Sequence, residues 1–332
     1  MIECIFTIDY EIYGNGQGSL RDLIHSPAAS LVDVFNKWNS KFVAFVEVAE
    51  LERIEEAGTD KAIADVRRQV ASLYRDGFEI ALHLHPQWYN AQWVDGAWSL
   101  DYSEYNLCTL TPQRIQSIVT RSLGYLRDVI GVPNYTPRAF RAGNWLFQPS
   151  KRATEVLAKT GIKIDSSVFK GGLQTRHGLD YRPALKNSYF WRFQDDVNAP
   201  DPRGEMLEIP IYSEMVPFWR MMTGKRVALQ RKSNLQRPNG HSKFKRLRDY
   251  LRPTYPLKFD FCRMTLDEAV GMLRKVIAED RRTPDIYRPV VAIGHTKDLD
   301  DLATVDSLLA YLHAEKIKVA TFESANVHTA QR

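Results

Sequence analysis

The sequence contains few cysteines and no long apolar run. Its three cysteines, Cys4, Cys108 and Cys262, are odd in number, far apart and without a Cys-x-x-Cys pair. This distribution argues against a disulfide framework and predicts a reducing, cytoplasmic environment. No stretch approaches the roughly 18 consecutive apolar residues that a membrane helix requires. The opening residues, MIECIFTIDY, lack a basic segment and a small-residue cleavage site, so a secretory signal is not expected.

Signatures of nucleotide binding and of repeats are also missing. The stretch YGNGQGS (13–19) follows a predicted strand but lacks the Lys-Ser/Thr of a phosphate loop. Its glycines, Gly14, Gly16 and Gly18, also miss the spacing of a dinucleotide-binding loop. We interpret it as a flexible surface loop. The chain has no internal repeat and no low-complexity tract, and its 332 residues suffice for one large α/β domain or two smaller ones. The family resemblance given below implies the first, a single domain over 1–332.

Positive charge is concentrated in one segment. Between Arg220 and Arg252 there are eleven Lys or Arg and one acid, Asp249, which gives +10 in a chain of net charge +5. The remainder therefore carries −5, and we interpret 220–260 as a basic insertion. Two interpretations stay open: a solvated loop, or a surface for the phosphates of a nucleotide- or lipid-linked glycan or for an anionic inner-membrane surface. Specific nucleic-acid recognition has no supporting motif.

Short apolar runs alternate with longer amphipathic runs along most of the chain. Strands are predicted at 2–9, 42–49, 78–85, 138–143, 162–169, 205–212, 290–296 and 318–322, and helices near 28–38, 60–75, 112–130, 149–160, 266–279 and 302–315. This alternation predicts an α/β fold of parallel strands, either an open sheet or a barrel. Residues 86–110, 170–204 and 220–260 break the rhythm and predict long loops.

Polar side chains occur at the carboxyl ends of the predicted strands, where parallel α/β folds form their sites. These residues are Asp9, Glu11, His83, His85, Arg141, Asp165 and His295. Asp9 and Glu11 are two residues apart, and so are His83 and His85. In an extended chain the two side chains of each pair therefore point to the same side. Two imidazoles and one carboxylate are a common ligand set for a catalytic divalent metal, and a further carboxylate can serve as general base.

Each of these residues also has a purely structural interpretation. The two aspartates fit a turn or a helix cap, and His295 fits a hydrogen-bonded core histidine. Arg141 fits an ion-pair partner. Their joint occurrence at successive strand ends favours the catalytic interpretation.

Five motifs follow one another in a family order: FTIDYE, EIALHLHP, FRAGNW, IDSSVF and AIGHTKDL. In these motifs the sequence resembles the polysaccharide deacetylases, carbohydrate esterases of family 4 with the nodulation-type deacetylase fold. It is most similar to the WbmS-like branch associated with bacterial O-antigen and lipopolysaccharide biosynthesis. The resemblance implies a distorted (β/α) barrel of about seven parallel strands, with long loops at the C-terminal face.

The resemblance also implies residue roles. A divalent metal, Zn²⁺ first and Co²⁺, Mn²⁺ or Ni²⁺ as alternatives, would be held by Glu11, His83 and His85. Asp9 would be the general base with Arg141 as its orienting partner, and His295 the acid, poised by Asp165. The family separates its two metal histidines by three residues, so a direct alignment puts the second ligand at Gln87. His85 and Gln87 therefore both stay open as the third ligand.

The implied reaction is metal-dependent removal of an N-acyl group, such as acetyl, from a sugar of a surface-polysaccharide or O-antigen precursor. Two alternatives stay open: hydrolysis of another non-peptide C–N bond on the same fold, and a catalytically silent glycan- or membrane-binding module. Four tryptophans are candidates either for sugar-binding platforms or for loop packing, namely Trp88, Trp93, Trp98 and Trp145.

Overall fold

A curled, mostly parallel sheet lies at the centre of the protein in the computed structural model, which describes residues 1–235 and 252–326. The strands are β1 (Ile2–Tyr10), β2 (Val43–Glu47), β3 (Glu79–Leu84), β4 (Gln92–Val94), β5 (Ala97–Ser99), β6 (Ala139–Ala142), β7 (Ile164–Asp165), β8 (Leu173–Gln174), β9 (Leu179–Asp180), β10 (Trp191–Phe193), β11 (Met206–Glu208), β12 (Ser213–Pro217), β13 (Thr254–Lys258), β14 (Arg288–His295) and β15 (Lys318–Ala320). The central order is β10-β11-β7-β6-β3-β2-β1-β14, with β15 also paired to β1. Within this sheet, β10 runs antiparallel to β11 and the other described pairings are parallel.

The sheet curls towards a barrel, so that strands from its two ends approach each other. Ile211, just after β11, forms a parallel bridge with Val291 of β14, and the Tyr212 N–H donates to the Val291 carbonyl at 2.9 Å. This curvature agrees with the predicted distorted α/β barrel. The sheet has nine strands rather than about seven, because β10 and β15 are added to the strands that follow the curve.

Eight helices connect and cover the described strands. They are α1 (Ser26–Lys37), α2 (Val48–Ala57), α3 (Ile63–Arg75), α4 (Pro112–Ile130), α5 (Lys151–Thr160), α6 (Gly224–Leu235), α7 (Leu266–Arg282) and α8 (Leu302–Ala314). Local signals explain two of the starts: Thr111 caps α4 ahead of Pro112, and Thr265 forms a capping box with Glu268 at α7. None of these helices is long and apolar enough to cross a membrane.

Helix α2 was missed by the sequence patterns. It begins immediately after β2, and the apolar run of the strand continues into its buried residues Val48, Ala49 and Leu51. No turn residue separates the end of this strand from the start of the helix, so the apolar pattern has no break that would mark the boundary. The predicted strand 42–49 therefore ended inside the helix.

The central strands are buried on both faces, as their sequences predicted. All five residues of β2 and all eight of β14 are buried, because helices cover one face and the barrel interior the other. Aromatic contacts fill the core, including Phe6 edge-on to Phe35 at 5.3 Å between ring centroids. This packing fixes the carboxyl ends of the strands at one rim.

The predicted basic insertion lies partly outside the described residues. Residues 236–251, which include Lys243, Lys245, Arg246 and Arg248, belong to the part that is not described. Near its start, Lys225 pairs with Asp301 at 2.9 Å. Arg226 likewise pairs with Glu268 at 2.5 Å, so these two cations are engaged within the protein.

Candidate active site

Glu11 brings the two predicted metal histidines together at the rim of the sheet. Its Oε2 lies 3.1 Å from His85 Nε2 and 3.5 Å from His83 Nε2. Glu11 is the residue that follows β1. His83 lies on β3, two strands along the sheet, and His85 follows β3 directly. All three side chains are buried. The alternation expected from the spacing in HLH and DYE is therefore confirmed in space.

The backbone fixes which nitrogen of His83 faces this cluster. His83 Nδ1 lies 2.9 Å from the carbonyl oxygen of Arg141, to which it donates as Nδ1–H. Nε2 is therefore the nitrogen that faces Glu11, and although burial opposes the shift, the adjacent carboxylates raise the pKa of this imidazole to about 9. A backbone acceptor behind a ligating imidazole is the usual arrangement in metal sites.

Gln87 lies behind His85 rather than in place of it. The amide nitrogens of Gln87 and Asn144 lie 3.3 and 3.2 Å from His85 Nδ1. The Oε1 of Gln87 is buried and has no hydrogen-bond partner in the described chain. Gln87 thus lies on the Nδ1 side of His85, whereas the Nε2 of His85 faces Glu11 Oε2 at 3.1 Å. The geometry therefore favours His85 over Gln87 as the third donor.

Asp9 is held by a buried guanidinium. Arg141 Nη1 donates to Asp9 Oδ1 at 2.6 Å, and its Nη2 donates to Thr7 Oγ1 at 2.9 Å. Burial by itself raises the pKa of Asp9, but Arg141 and the nearby imidazoles hold that pKa below its ordinary value. Asp9 is therefore an oriented, ionised carboxylate, as a general base requires.

Lys297 occupies the other oxygen of Glu11. Its Nζ donates to Glu11 Oε1 at 2.7 Å and to the Ile12 carbonyl at 3.0 Å. Burial raises the pKa of Glu11, but Lys297 and the two histidines hold it well below its ordinary value. The two carboxylate oxygens of Glu11 therefore have different partners: Oε1 faces the ammonium of Lys297, and Oε2 faces the two histidines.

In the part of the chain that the structure describes, two groups of buried side chains have donor atoms within 4.8 Å of one another: Glu11, His83 and His85, and Asp9, Glu11 and His295. The first group fits a divalent cation better. Its carboxylate oxygen is free of the ammonium, and its two imidazoles present Nε2 atoms to one point. In the second group, Asp9 Oδ1 is already bound by Arg141 and Glu11 Oε1 by Lys297.

His295 is in the site, but its predicted partner is not beside it. Its Nε2 lies 3.5 Å from Asp9 Oδ2, and its Nδ1 lies 4.0 Å from Asp298 Oδ2. Asp298 is itself bound by Arg263 at 2.5 Å. Burial lowers the pKa of His295, with the nearby carboxylates opposing that shift. The carboxylate that lies towards His295 is thus Asp298, not Asp165.

Asp165 lies deeper, where it supports the strand that carries Arg141. Its Oδ1 accepts from Ser167 Oγ at 2.7 Å, and Ser167 Oγ accepts from the Ala142 N–H at 2.8 Å. Burial raises the pKa of Asp165 to about 6, and the neighbouring Glu208 carboxyl titrates well above its ordinary pKa. The predicted pairing of Asp165 with His295 is therefore wrong, because Asp165 contacts Ser167 and Glu208.

Two further buried carboxyls lie below the histidines and were not anticipated. Burial raises the pKa of Glu47 to about 8 and the pKa of Glu50 well above its ordinary value. Glu50 Oε1 accepts from the Ile12 N–H at 2.8 Å, next to Glu11. Burial in both cases favours the uncharged carboxyl over the carboxylate.

The four tryptophans separate into different roles. Trp88 is buried and packs edge-on against Trp98 at 5.2 Å, while Trp93 and Trp98 face each other across the β4–β5 hairpin. Trp145 is the one of the four that contacts a predicted catalytic residue, with its ring 6.3 Å from that of His295. Trp88 therefore belongs to the loop core, as one of the two interpretations proposed.

The close approach of Gly143 to His85 gives a testable prediction. A Cβ at position 143 would lie 2.6 Å from His85 Cγ and 2.7 Å from the Leu84 carbonyl. We expect Gly143→Ala to displace the imidazole and weaken divalent-metal binding at least about tenfold, the order seen when groups around a ligand are disturbed. Chelator competition measures this affinity.

Gly124→Ala is the matched control, because a Cβ at position 124 within α4 meets no atom within 4 Å. It should leave metal affinity unchanged and slightly stabilise the helix. Unchanged metal binding in Gly143→Ala would show that the His85 ring position is unimportant for the ion.

No protein-family model and no curated protein matches the chain. Several solved structures share its architecture. A Mycobacterium smegmatis protein described as a polysaccharide deacetylase superposes with a TM-score of 0.54 at 15% identity, over 97% of this chain and 87% of its own. Another so described, from Pseudomonas aeruginosa PAO1, gives 0.54 at 13% identity over 97% and 88%. PuuE allantoinase gives 0.53 at 10% identity over 97% and 88%. At these identities the likeness is one of fold, and the two proteins described as polysaccharide deacetylases and the allantoinase share it.

Proposed function

We propose that the protein is a metal-dependent hydrolase that removes an N-acyl group, such as acetyl, from a sugar of a surface-polysaccharide or O-antigen precursor. One observation carries the proposal: the Glu11–His83–His85 cluster lies beside an aspartate that a buried arginine orients. The fold shared with polysaccharide deacetylases supports it.

The ion would be held by Glu11 Oε2 and by the Nε2 atoms of His83 and His85. A divalent cation there supplies the charge that acidifies a water molecule and polarises an acyl carbonyl. The nitrogen-rich donor set is suited to Zn²⁺, with Co²⁺, Mn²⁺ and Ni²⁺ as alternatives. Lys297 keeps Glu11 in place through the oxygen that the ion does not use.

Asp9 and His295 carry the protons in this reaction. Asp9 accepts the proton of the attacking water, and Arg141 keeps the carboxylate ionised and directed into the site. His295 Nε2 lies 3.5 Å from Asp9 Oδ2, so the proton taken up by Asp9 passes through the imidazole to the departing nitrogen. Because burial lowers the pKa of His295, the imidazole returns to its neutral form after each transfer.

The assay measures acetate release from N-acetylated sugars with and without added Zn²⁺. We expect metal-dependent release that falls at least about 100-fold in His83→Ala and in His85→Ala, because each change removes one ligand of the ion. His313→Ala changes an exposed histidine of α8 and should retain full activity.

Three outcomes separate the proposal from its alternatives. Release of ammonia or ring opening from cyclic ureides, without acetate release from sugars, would indicate hydrolysis of another C–N bond on the same fold. Sugar binding without turnover or bound metal would indicate a silent glycan-binding module. Activity that does not change when a chelator is added would show that the reaction does not require a metal.

A further inference from the structure

Lys258 extends from the end of β13 into the mouth of the site. Its Nζ lies 3.2 Å from the centre of the Trp145 ring and 5.0 Å from that of Phe169. Trp145 in turn lies edge-on to His295 at 6.3 Å. The ammonium therefore lies on an aromatic wall that continues to the proposed proton carrier.

The carboxylates around this ammonium are already paired with other cations. Asp9 is bound by Arg141 at 2.6 Å and Glu11 by Lys297 at 2.7 Å. Another cation, Arg263, binds Asp298 at 2.5 Å and lies 3.7 Å from Asp260, whose Oδ1 also accepts the Cys262 and Arg263 N–H groups.

Lys258 is thus the surplus cation of the site. Within residues 1–235 and 252–326, its ammonium forms no hydrogen bond and no ion pair. A divalent ion at Glu11 would add further positive charge on the same side. A bound anion would supply the counter-charge that the described residues do not provide.

A strained turn holds the aromatic wall under Lys258. Asn144 and Trp145 both have left-handed backbone angles, with φ of 54° and 61°. Asparagine tolerates such angles, but a tryptophan rarely adopts them, and strain of this kind concentrates at functional sites. The turn places Asn144 against His85 and Trp145 beneath Lys258, so one distorted segment supports both the cluster and the cation.

We propose that Lys258 binds an anionic group of the substrate, so that the N-acylated sugar accepted by this site carries a carboxylate or a phosphate. The inference rests on the proposed function and names its substrate class. The aromatic wall faces the sugar, and the ammonium pairs with the oxyanion while the acyl group lies towards Asp9 and His295.

The charges around Lys258 agree with this assignment. Burial, with the repulsion of Arg263 and Arg141, lowers the pKa of Lys258 to about 7, although Asp260 and Asp9 oppose the shift. A bound anion would stabilise the ammonium form of Lys258 and offset the unfavourable free energy of burying its charge. A neutral sugar offers no such compensation.

Calorimetry on the full chain tests the proposal with three probes: neutral N-acetylglucosamine, N-acetylmuramic acid with its carboxylate, and N-acetylglucosamine 6-phosphate. At least one anionic probe should bind about tenfold more tightly than the neutral sugar, a ratio set by one charge-assisted contact. In Lys258→Met this ratio should fall below about twofold, whereas Lys258→Arg should retain part of it. The preferred anion identifies the carboxylate or the phosphate as the source.

Lys37→Met is the matched control, because Lys37 is exposed and paired with Asp306 at 2.7 Å, and it should keep the full ratio. Equal affinity of all three probes for the wild type overturns the proposal. An equal loss for all three probes in folded Lys258→Met does so as well. Acetate release is measured separately, so an anion preference without hydrolysis would remove the proposed function while leaving this binding site in place.

Discussion

Replacing Arg141 with methionine is expected to lower the free energy of unfolding by about 3–5 kcal/mol at neutral pH. The side chain is fully buried and donates to Asp9, Thr7 and the Ser166 carbonyl. Its removal leaves a buried carboxylate without its cation and three buried oxygens without this donor, namely Thr7 Oγ1, the Ser166 carbonyl and Ser166 Oγ. Urea unfolding monitored by circular dichroism measures the loss.

The deficit should also depend on pH. Arg141 holds the folded pKa of Asp9 below its unfolded value of about 3.9, so the pair stabilises the protein above that pH. This contribution disappears as the pH falls through the lower, folded pKa. The difference between wild type and Arg141→Met is therefore largest near pH 7 and shrinks in acid.

Arg121→Met provides the comparison, since Arg121 is 40% exposed and pairs with Glu52 and Glu56 on the surface. It should cost less than about 1 kcal/mol. If both arginine variants lost similar stability, the Asp9–Arg141 pair would not be the buried support that the geometry indicates.

Replacing Asp9 with asparagine is expected to lower kcat for acetate release by about 10²- to 10⁴-fold, the usual contribution of a positioned general base. An amide keeps the shape of the carboxylate and cannot accept the proton of the attacking water. Steady-state acetate release with saturating Zn²⁺ measures kcat directly.

Metal affinity separates the two possible causes of that loss. Asp9 is outside the Glu11–His83–His85 group, so Asp9→Asn should bind Zn²⁺ within about threefold of the wild type while its kcat falls. A joint loss of metal and activity would instead favour the second donor group, which contains Asp9, Glu11 and His295. Retained kcat would exclude Asp9 as the base.

The sequence predicted most of the site because strand ends meet at one edge of a parallel sheet. Asp9 and His295 are paired partners in the β1–β14 register, and His83 and Arg141 are partners between β3 and β6. Because these residues are partners on neighbouring strands, the pairing of the strands alone brings their side chains to the same edge of the sheet. The spacing within DYE and HLH then places Glu11 and His85 on the same side.

Lys297 was missed although a signal existed. It follows His295 by two residues, the spacing that had already grouped Asp9 with Glu11 and His83 with His85. The same two-residue spacing in AIGHTKDL pointed to Lys297, although this residue lies in the short helical turn after β14 and not on the strand. The position of Asp298 next to His295 follows from the short helical turn after β14, which strand periodicity does not describe.

Lys258 had no such signal. It lies on β13, which pairs with β12 outside the central sheet, in a stretch expected to be loop. Its approach to Trp145 depends on the left-handed turn at 144–145, and nothing in the residue types of FRAGNW requires that turn. The buried carboxyls Glu47, Glu50 and Glu208 were missed for a related reason, since their raised pKa values result from burial that only the packed fold provides.

A crystal structure of the protein soaked in Zn²⁺, with anomalous scattering at the zinc edge, tests the central claim most directly. The account predicts one strong peak within coordination distance of Glu11 Oε2, His83 Nε2 and His85 Nε2, with Gln87 remaining at His85 Nδ1. A peak at Gln87, or at Asp9 and His295, or no peak in this cluster at saturating Zn²⁺, would contradict it.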